Sequence, residues 1–521
     1  VADFRVDGLM TNAYMLLKDE DLAGRALKEG IHEMLGFDGI IATDSGSYQL
    51  MVYGAVETTN KKIIEFEEGI GTDIGSFLDI PTLPDTFKPR AAKQLDETLV
   101  RAQDALDTGF VVNAGIQGGR FLDLRARSAR EMGALFPLVA CGGIVPLMES
   151  YRFAELVDVI ATCKQNMPAD RIVHAFGLGH PMVFALATLL GCDLYDSAAY
   201  ALYAQNDRYM TVYGTKRLDD LEHIPCSCPV CSEHGIKLKA LFGKDRVGAL
   251  ARHNLHVSLE EIRRVRQAIV DGSLWELALT RCRSHPQLMK AVDSLMKHAG
   301  WIAELDPITK NSAFYHTGIE SCRRSEAINA SKRIARVTSQ TMIEVPPFGE
   351  VPCEVMDIFP FGTVMDGIER PDVRDLAKVR ALMEYQFGAG AGELIPESVR
   401  IKKSRSTKRM RWIYEGKDLI ASVRASDHFI IPHEKLAGRL KEKFAAPLLR
   451  VVLADEEDAI DCVREGKSVM CKFVESVDPD LRAGDECLIV GKDDEFIRSG
   501  TLLKSPREVM DFSRGAAVRT R

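Results

Sequence analysis

Residues 110–119 read FVVNAGIQGG, an apolar, β-branched run that stops at a glutamine and two glycines. The same order recurs through the first two hundred residues: an apolar run, a polar or glycine-rich loop, then an amphipathic stretch. This alternation predicts strands and helices in turn, and therefore a parallel sheet with right-handed crossovers. The predicted strands are residues 8–12, 39–43, 75–80, 110–116, 138–144, 172–178 and 190–195.

Residues able to do chemistry recur where these runs stop. They are Asp44, Asp79, Gln117, the glycine pair 142–143, and Asp196. A doubly wound sheet binds its ligand at one switch point, whereas a barrel collects residues from many strand ends around one mouth. We therefore predict an α/β protein built on a (β/α)8 TIM barrel. Seven strands are found, and we expect the remaining one upstream of Val1.

Length and charge indicate several domains of different character. The 521 residues, 46% of them hydrophobic, are typical of a core-forming chain and too many for one domain. The net charge is −8, but residues 398–521 carry 25 basic and 21 acidic residues, whereas the rest carries 42 basic and 54 acidic. The basic part predicts a polyanionic partner. No apolar run approaches the ~18 residues of a membrane helix, so we expect a cytoplasmic protein without a membrane partner.

Three cysteines crowd into the segment CSCPVC, at Cys226, Cys228 and Cys231. The candidates for a fourth ligand are His234, His253 and His256, and His253 is preferred because His234 is too near to complete a tetrahedron without strain. Three sulfurs and one imidazole form the closed set of a structural Zn²⁺ site, one ion per chain. The alternative, three unrelated buried cysteines, is less compatible with this spacing.

The aspartates at the strand ends have two interpretations. Each one alone is more simply explained as a helix cap or a turn residue. Together at one barrel mouth, Asp44, Asp79 and Asp196 become a candidate acid–base and nucleophile set acting on a glycosidic bond. Asp193 lies on the opposite face from Asp196 by strand alternation, and Asp196 is the one nearer the mouth.

A basic run between residues 400 and 411 contains no acidic residue, and Trp412 and Tyr414 follow it. It could be the solvated face of a strand. It could also bind nucleic acid, since cations release counterions from phosphates and aromatic rings stack on bases. The candidate nucleic-acid-binding residues are Lys402, Lys403, Arg405, Lys408, Arg409 and Arg411.

The segments TDSGSYQ, FLDIP, GIQGG, CGGI, CDLYDS and CSCPVC followed by HN, in that order, closely resemble the tRNA-guanine transglycosylases. The segment SAAYALYAQNDRYMT and the long C-terminal extension resemble the archaeal, archaeosine type of this family. Residues 451–521 resemble a PUA domain, a small RNA-binding β-barrel. Two departures are the residues GGR after Gln117 and the missing first strand.

The resemblance implies a role for each site residue. Asp196 matches the nucleophile that attacks C1′ of the target nucleotide, and Asp44 the general acid/base. Asp79, Gln117 and Gly143 match the residues that bind the guanine edge. The implied zinc ligands are Cys226, Cys228, Cys231 and His253.

The resemblance also implies the reaction and its partners. The archaeal type replaces guanine at position 15 of the tRNA D-loop with 7-cyano-7-deazaguanine, through a covalent aspartate–ribose intermediate. We therefore expect tRNA, guanine and 7-cyano-7-deazaguanine as partners, and a homodimer.

The expected domains are a catalytic barrel at 1–305 with a zinc subdomain at about 222–256, a linking α+β domain at 306–378, a basic α+β domain at 379–448, and the PUA domain at 449–521.

Three rival functions remain open. The chain could be a paralogue acting on the already modified base, which we would expect to lack the aspartates. It could be a non-catalytic tRNA-binding subunit, which would have no need of intact carboxylates. It could be a zinc hydrolase, but such a barrel places its metal ligands at strand ends, and this cysteine cluster lies outside the repeating pattern.

Overall fold

Seven parallel strands pair in chain order in the computed structural model, which describes residues 4–47, 58–364, 368 and 370–521. Each strand pairs in parallel with the next, so all carboxyl ends face one rim. This confirms the predicted α/β barrel architecture. The strands are β1 (Gly8–Asn12), β2 (Ile40–Asp44), β3 (Ile74–Gly75), β4 (Val111–Ile116), β5 (Leu138–Cys141), β6 (Ile172–Ala175) and β7 (Leu194–Tyr195).

The third strand is much shorter than predicted, because the chain leaves the sheet after Gly75. The backbone N–H of Ser76 donates to a side chain, Glu67 Oε2, at 3.0 Å instead of to a neighbouring strand. The Asp79 N–H donates to the Phe77 carbonyl at 2.9 Å, a tight turn, and Pro81 has no N–H to offer a ladder. The predicted strand over 75–80 is therefore wrong beyond Gly75.

The seventh strand is also shorter than the predicted 190–195, because the chain between 190 and 193 completes the end of the preceding helix and a turn. The Leu190 and Cys192 N–H groups both donate to the Ala187 carbonyl, and Gly191 adopts a φ of 93°. This is a glycine-terminated helix end. Only Leu194 and Tyr195 remain to pair with β6.

The chain divides into two compact units, residues 1–295 and 296–521. In the first unit, helices follow the barrel strands, and two antiparallel strands, β8 (Arg208–Thr211) and β9 (Gly214–Arg217), follow β7. The helices here are α1 (Ala13–Lys18), α2 (Glu20–Glu29), α3 (Ile31–Leu35), α4 (Asn60–Gly69), α5 (Lys88–Ala102), α6 (Leu122–Leu135), α7 (Val145–Glu149), α8 (Phe153–Gln165), α9 (Pro181–Leu189), α10 (Ala199–Gln205), α11 (Pro229–His234), α12 (Gly243–Asp271), α13 (Leu274–Cys282) and α14 (Pro286–Leu305).

The core of the barrel lies between its strands and helices. Strand β4 is buried at every residue but its first, as expected for a parallel strand covered on both faces. Helix α9 is buried at eight of its nine residues, so it is apolar all round rather than amphipathic. No helix among the described residues is both long and apolar enough to cross a membrane.

Among its described residues, the second unit contains three antiparallel or mixed sheets and five α-helices that begin within it. Helix α14 begins in the first unit and ends in the second. The five helices that begin in the second unit are α15 (Ser325–Ile334), α16 (Asp375–Phe387), α17 (Glu434–Lys443), α18 (Glu457–Arg464) and α19 (Pro506–Asp511). The strands are β10 (Met342–Val345), β11 (Gly349–Pro352), β12 (Arg400–Lys403), β13 (Met410–Glu415), β14 (Asp418–Val423), β15 (Ile430–Pro432), β16 (Arg450–Leu453), β17 (Val469–Met470), β18 (Val474–Val477), β19 (Glu486–Val490), β20 (Phe496–Leu502) and β21 (Ala516–Thr520).

The last six strands form one sheet in the order β17, β21, β20, β19, β16, β18. The predicted small β-rich C-terminal domain is thus confirmed in architecture. The preceding sheet, β12 to β15, is a meander of antiparallel neighbours against which α17 packs. A shared apolar core joins these sheets, with Ile413, Leu436, Val451 and Ile489 all fully buried.

Candidate active site and metal centre

The carboxyl ends of the barrel strands hold the predicted site residues. Asp44 is the last residue of β2, Gln117 follows β4 directly, and Asp196 follows β7 directly. Asp79 comes four residues after β3, and its Oδ2 lies 2.5 Å from Gln117 Nε2. The charges of Asp79 and Asp196 both act on Asp44. The structure therefore brings the predicted barrel residues to one mouth.

Asp44 has an environment suited to proton transfer. Asn12, its register partner on β1, donates from Nδ2 to Asp44 Oδ2 at 2.9 Å. Burial, reinforced by the negative charges of Asp79 and Asp196, raises the pKa of Asp44 to about 7. A carboxyl group with this pKa exchanges a proton readily near neutral pH, as a general acid or base must.

Glu67, on α4, holds the backbone around Asp44 in place. Its Oε1 accepts from the Thr43 hydroxyl at 2.7 Å and its Oε2 from the Ser76 N–H at 3.0 Å. Ser76 Oγ in turn accepts from the N–H of Ser45 at 2.9 Å. Glu67 is fully buried, and burial raises its pKa well above the ordinary value. The sequence analysis missed Glu67. Its spacing of four residues from the apolar Ile63, which puts both on one face of a helix, was a usable signal.

Asp79 and Gln117 form a polar pair beside the carboxyl end of β4. Gln117 is 1% exposed, and its Oε1 accepts from the Thr82 N–H at 3.2 Å, so its Nε2 faces Asp79. A Cβ added at Gly115 would lie 2.4 Å from Asp79 Oδ2, and one at Gly142 would lie 2.3 Å from Gln117 Nε2. The backbone thus passes so close that no side chain fits between it and these two polar groups.

Gly143 and Arg125 lie next to this pair. Gly143 has a φ of 66°, and a Cβ there would lie 3.1 Å from the Thr82 carbonyl. Arg125, on α6, is fully buried and donates to the carbonyls of Ile116 and Gly119, each at 2.7 Å. It fixes the loop that carries Gln117. The sequence analysis missed Arg125, since an arginine in an amphipathic helix ordinarily faces solvent.

Asp196 is held through one oxygen only. Its Oδ1 lies 2.9 Å from His174 Nε2 and accepts from the Gly177 N–H at 2.5 Å. Oδ2 makes no hydrogen bond to any described residue. Asp193, three residues earlier, instead accepts from the Val173 N–H at 2.8 Å. The predicted difference between the two aspartates therefore agrees with their contacts, and Asp196 has an oxygen available to a ligand.

His174 and Asn113 were also missed by the sequence analysis. Both are buried, at 5% and 4% exposure, and they lie on β6 and β4. Asn113 Nδ2 lies 2.9 Å from His174 Nδ1. The signal was present in the sequence as a single polar residue inside each apolar run, FVVNAGI and IVHAFGL.

Cys226, Cys228, Cys231 and His253 come together as a group that could hold a metal ion, their ligand atoms all lying within 4.8 Å of one another. His253, on α12, places Nδ1 at 3.2 Å from Cys231 Sγ, while its Nε2 lies 3.0 Å from the Met210 carbonyl. A proton on Nε2 donated to that carbonyl leaves the Nδ1 lone pair for a metal. Three thiolates and one imidazole are a donor set that suits a tetrahedral zinc ion. Neither His234 nor His256 belongs to this cluster.

The basic run forms the hairpin of β12 and β13 in the second unit. Arg405 and Lys408 lie in its turn, exposed, and Lys408 has a φ of 58°. Three of the cations are engaged within the protein. Lys403 pairs with Asp375 at 2.9 Å, Arg409 Nη1 lies 2.8 Å from His428 Nε2, and Arg411 donates to the Val423 carbonyl at 3.3 Å. Lys402 lies over the ring of Tyr414, 5.1 Å from its centre.

Comparison with known proteins covers nearly the whole chain. Residues 1–287 match the family model described as queuine tRNA-ribosyltransferase. Residues 377–447 match the patch-forming domain C2 of tRNA-guanine transglycosylase, and residues 450–521 match the PUA domain.

Three curated relatives from archaea share one name. The tRNA-guanine(15) transglycosylase of Pyrococcus furiosus is 44% identical over 99% of this chain and 89% of its own length. The proteins of the same name from Thermococcus kodakarensis and Methanocaldococcus jannaschii are 43% and 38% identical, over 98% and 99% of this chain and 90% and 91% of their own lengths. The chain belongs to the tRNA-guanine transglycosylase family and is a pentosyltransferase.

Proposed function

We propose that this protein replaces guanine at position 15 of the tRNA D-loop with 7-cyano-7-deazaguanine, in archaeosine biosynthesis. The observation that carries the proposal is the pairing, at one barrel mouth, of Asp196, whose Oδ2 is available, with Asp44, whose pKa is about 7. The name of the relatives, tRNA-guanine(15) transglycosylase, supports the choice of nucleotide. A non-catalytic tRNA-binding subunit would need neither carboxylate.

In the first half-reaction, Asp196 Oδ2 attacks C1′ of the target ribose while the bond from C1′ to guanine N9 breaks. Asp44 gives its proton to the departing guanine, which leaves as the neutral base. The products are an ester between Asp196 and the ribose, free guanine, and ionised Asp44. The negative charge of Asp196 also stabilises the positive charge that develops at C1′.

In the second half-reaction, the incoming base gives its N9 proton to Asp44. Its N9 then attacks C1′ and the carboxylate of Asp196 is released. Protons and bonds balance over the two steps, so the exchange needs no ATP. One group therefore acts as an acid and then as a base, and a pKa near neutrality serves both roles.

The group formed by Asp79, Gln117 and Gly143 is the proposed base site. A carboxylate accepts from the N–H groups on the guanine edge, an amide can donate and accept, and the backbone N–H at Gly143 can donate to the base carbonyl. The target must leave its stack to reach these groups, as in other enzymes that act on a base.

The cluster of Cys226, Cys228, Cys231 and His253 is proposed to hold one structural Zn²⁺. Bound zinc would cross-link the segment around the cysteines to helix α12, which carries His253. Because all four positions are filled by protein ligands, this ion would leave no site for a reacting molecule. Its contribution is to folding.

The exposed cations of the second unit are proposed to bind the tRNA backbone. The candidates remain Lys402, Lys403, Arg405, Lys408, Arg409 and Arg411. Arg405 and Lys408 at the hairpin turn are the most accessible, whereas Arg411 is half-buried and engaged with a carbonyl. The matches to a C2 domain and a PUA domain support a role of this unit in holding RNA.

Asp196→Asn should abolish incorporation of radiolabelled guanine into unmodified tRNA, because the amide cannot form the ester. The tRNA dissociation constant should stay within about twofold, since the side chain is only one of many contacts. Asp193→Asn is the matched control and should retain exchange. Undiminished exchange by Asp196→Asn would refute the nucleophile and favour the non-catalytic or paralogue functions.

Guanine release in a single turnover, with no incoming base, should fall as pH rises. With its pKa at about 7, Asp44 is protonated below that pH, and the acid form falls tenfold per unit well above it. Asp44→Asn should remove this dependence and lower the rate on the order of 10²- to 10⁴-fold. A wild-type rate that stays flat from pH 6 to about pH 9 would contradict the acid role.

Gly115→Ala should raise KM for guanine by about tenfold or more, which corresponds to losing one well-placed hydrogen bond. The added methyl group would meet Asp79 Oδ2 and displace it from the base site. Gly24→Ala, on α2 with open space around it, is the control and should leave KM unchanged. Equal KM values for the two variants, at comparable thermal stability, would argue against Asp79 as a base-binding residue.

Removing zinc should unfold the segment 225–256 while the barrel stays folded. Hydrogen exchange measured by mass spectrometry should show loss of protection in that segment after chelation. Cys228→Ser should lose bound zinc, whereas Cys322→Ser, at an exposed cysteine outside the cluster, should keep one ion per chain. Unchanged protection in metal-free protein would contradict the structural role.

A further inference from the structure

Three buried or half-buried side chains form a continuous line of hydrogen bonds that ends on the proposed nucleophile. Asn113 Nδ2 lies 2.9 Å from His174 Nδ1, and His174 Nε2 lies 2.9 Å from Asp196 Oδ1. They come from β4, β6 and the residue after β7, so the line runs across the interior of the sheet. None of the steps described above uses Asn113 or His174.

The direction of these bonds determines which nitrogen of the imidazole carries the proton. The Asn113 amide nitrogen donates, so His174 Nδ1 accepts and carries no hydrogen. The ring proton is then on Nε2, which donates to Asp196 Oδ1. A neutral imidazole in this form holds the carboxylate without neutralising its charge, whereas an imidazolium would form an ion pair and weaken the nucleophile.

The ring of His174 has little freedom to turn away. It is 5% exposed, and the ring of Phe176 packs edge-on against it with centroids 5.0 Å apart. The Gly177 N–H donates to the same Oδ1 from the following loop at 2.5 Å. Two donors from separate directions therefore fix Oδ1 and leave Oδ2 as the oxygen presented to a ligand.

We propose that His174 is a positioning residue that orients Asp196, and that Asn113 keeps His174 in its neutral, Nε2-protonated form. The proposal rests on Asp196 being the nucleophile. In the ester, Oδ1 becomes the carbonyl oxygen and still accepts from His174 and Gly177. When the incoming base displaces Asp196, the same two donors stabilise the charge that returns to the carboxylate. Both half-reactions depend on this geometry.

The test compares His174→Leu with His174→Gln. Leucine fills the space but cannot donate, while glutamine places an amide nitrogen near the position of Nε2 and keeps the donor. We expect kcat to fall about 100-fold in His174→Leu and at most about tenfold in His174→Gln, the range of a hydrogen bond to a charged group. KM for tRNA should stay within about threefold in both, because neither change touches the surface that binds RNA.

The amplitude of the guanine burst, measured without incoming base, counts the competent sites and corrects kcat for misfolded protein. Equal losses per competent site in the leucine and glutamine variants would overturn the donor role. So would a His174→Leu kcat within about threefold of wild type when Asp196→Asn is inactive. If Asp196→Asn itself exchanges guanine, it is the proposed function that fails.

Asn113→Asp provides a second measurement if His174→Leu has no competent sites. An aspartate at 113 can only accept, so it places a proton on Nδ1 and lets His174 donate to Asp196 only as a cation. We expect kcat per competent site to fall at least about tenfold, with the tRNA KM unchanged. An unchanged kcat would refute the role of Asn113 in setting the form of His174.

Discussion

The parallel pairing of consecutive strands is the constraint on which the site depends. Because β1 and β2 pair residue for residue up to Asn12 and Asp44, the amide of one reaches the carboxylate of the other. The same regular pairing delivers Gln117 and Asp196 to the rim from strands far apart in the chain. A shift of one residue in any of these strands would turn its side chains to the other face of the sheet.

Bringing several carboxyl groups to one site costs free energy when they are charged. Burial raises the pKa of both Asp44 and Asp79, and the charges of Asp79 and Asp196 raise the pKa of Asp44 further. The carboxyl groups differ in their surroundings. The pKa of Asp44 is raised, whereas Asp196 has two hydrogen-bond donors on one oxygen. Different surroundings thus suit chemically identical groups to the different roles proposed for them.

The sequence predicts the strand-end residues well because position along a strand is encoded locally. Asp44, Gln117 and Asp196 each stand where an apolar run stops, and the cysteine cluster is indicated by its spacing. The residues that hold these side chains in position are harder to predict from the sequence. Asn113 and His174 are 61 positions apart, and nothing in either strand indicates that they meet. The lengths of β3 and β7 are overestimated, since β3 ends where the Ser76 N–H donates to Glu67 and β7 begins only after the glycine-terminated end of α9.

The absence of side chains at Gly115 and Gly142 limits how the proposed base site could be redesigned. Where a pocket is floored by side chains, trimming one of them makes room for a larger ligand. Here the main chain at Gly115 and Gly142 already lies against Asp79 and Gln117, and neither glycine has a side chain to remove. Only Asp79 and Gln117 could be trimmed, and these are the residues proposed to bind the base. Engineering this scaffold to accept bulkier bases would therefore have to work at the open rim of the barrel, or move whole strands.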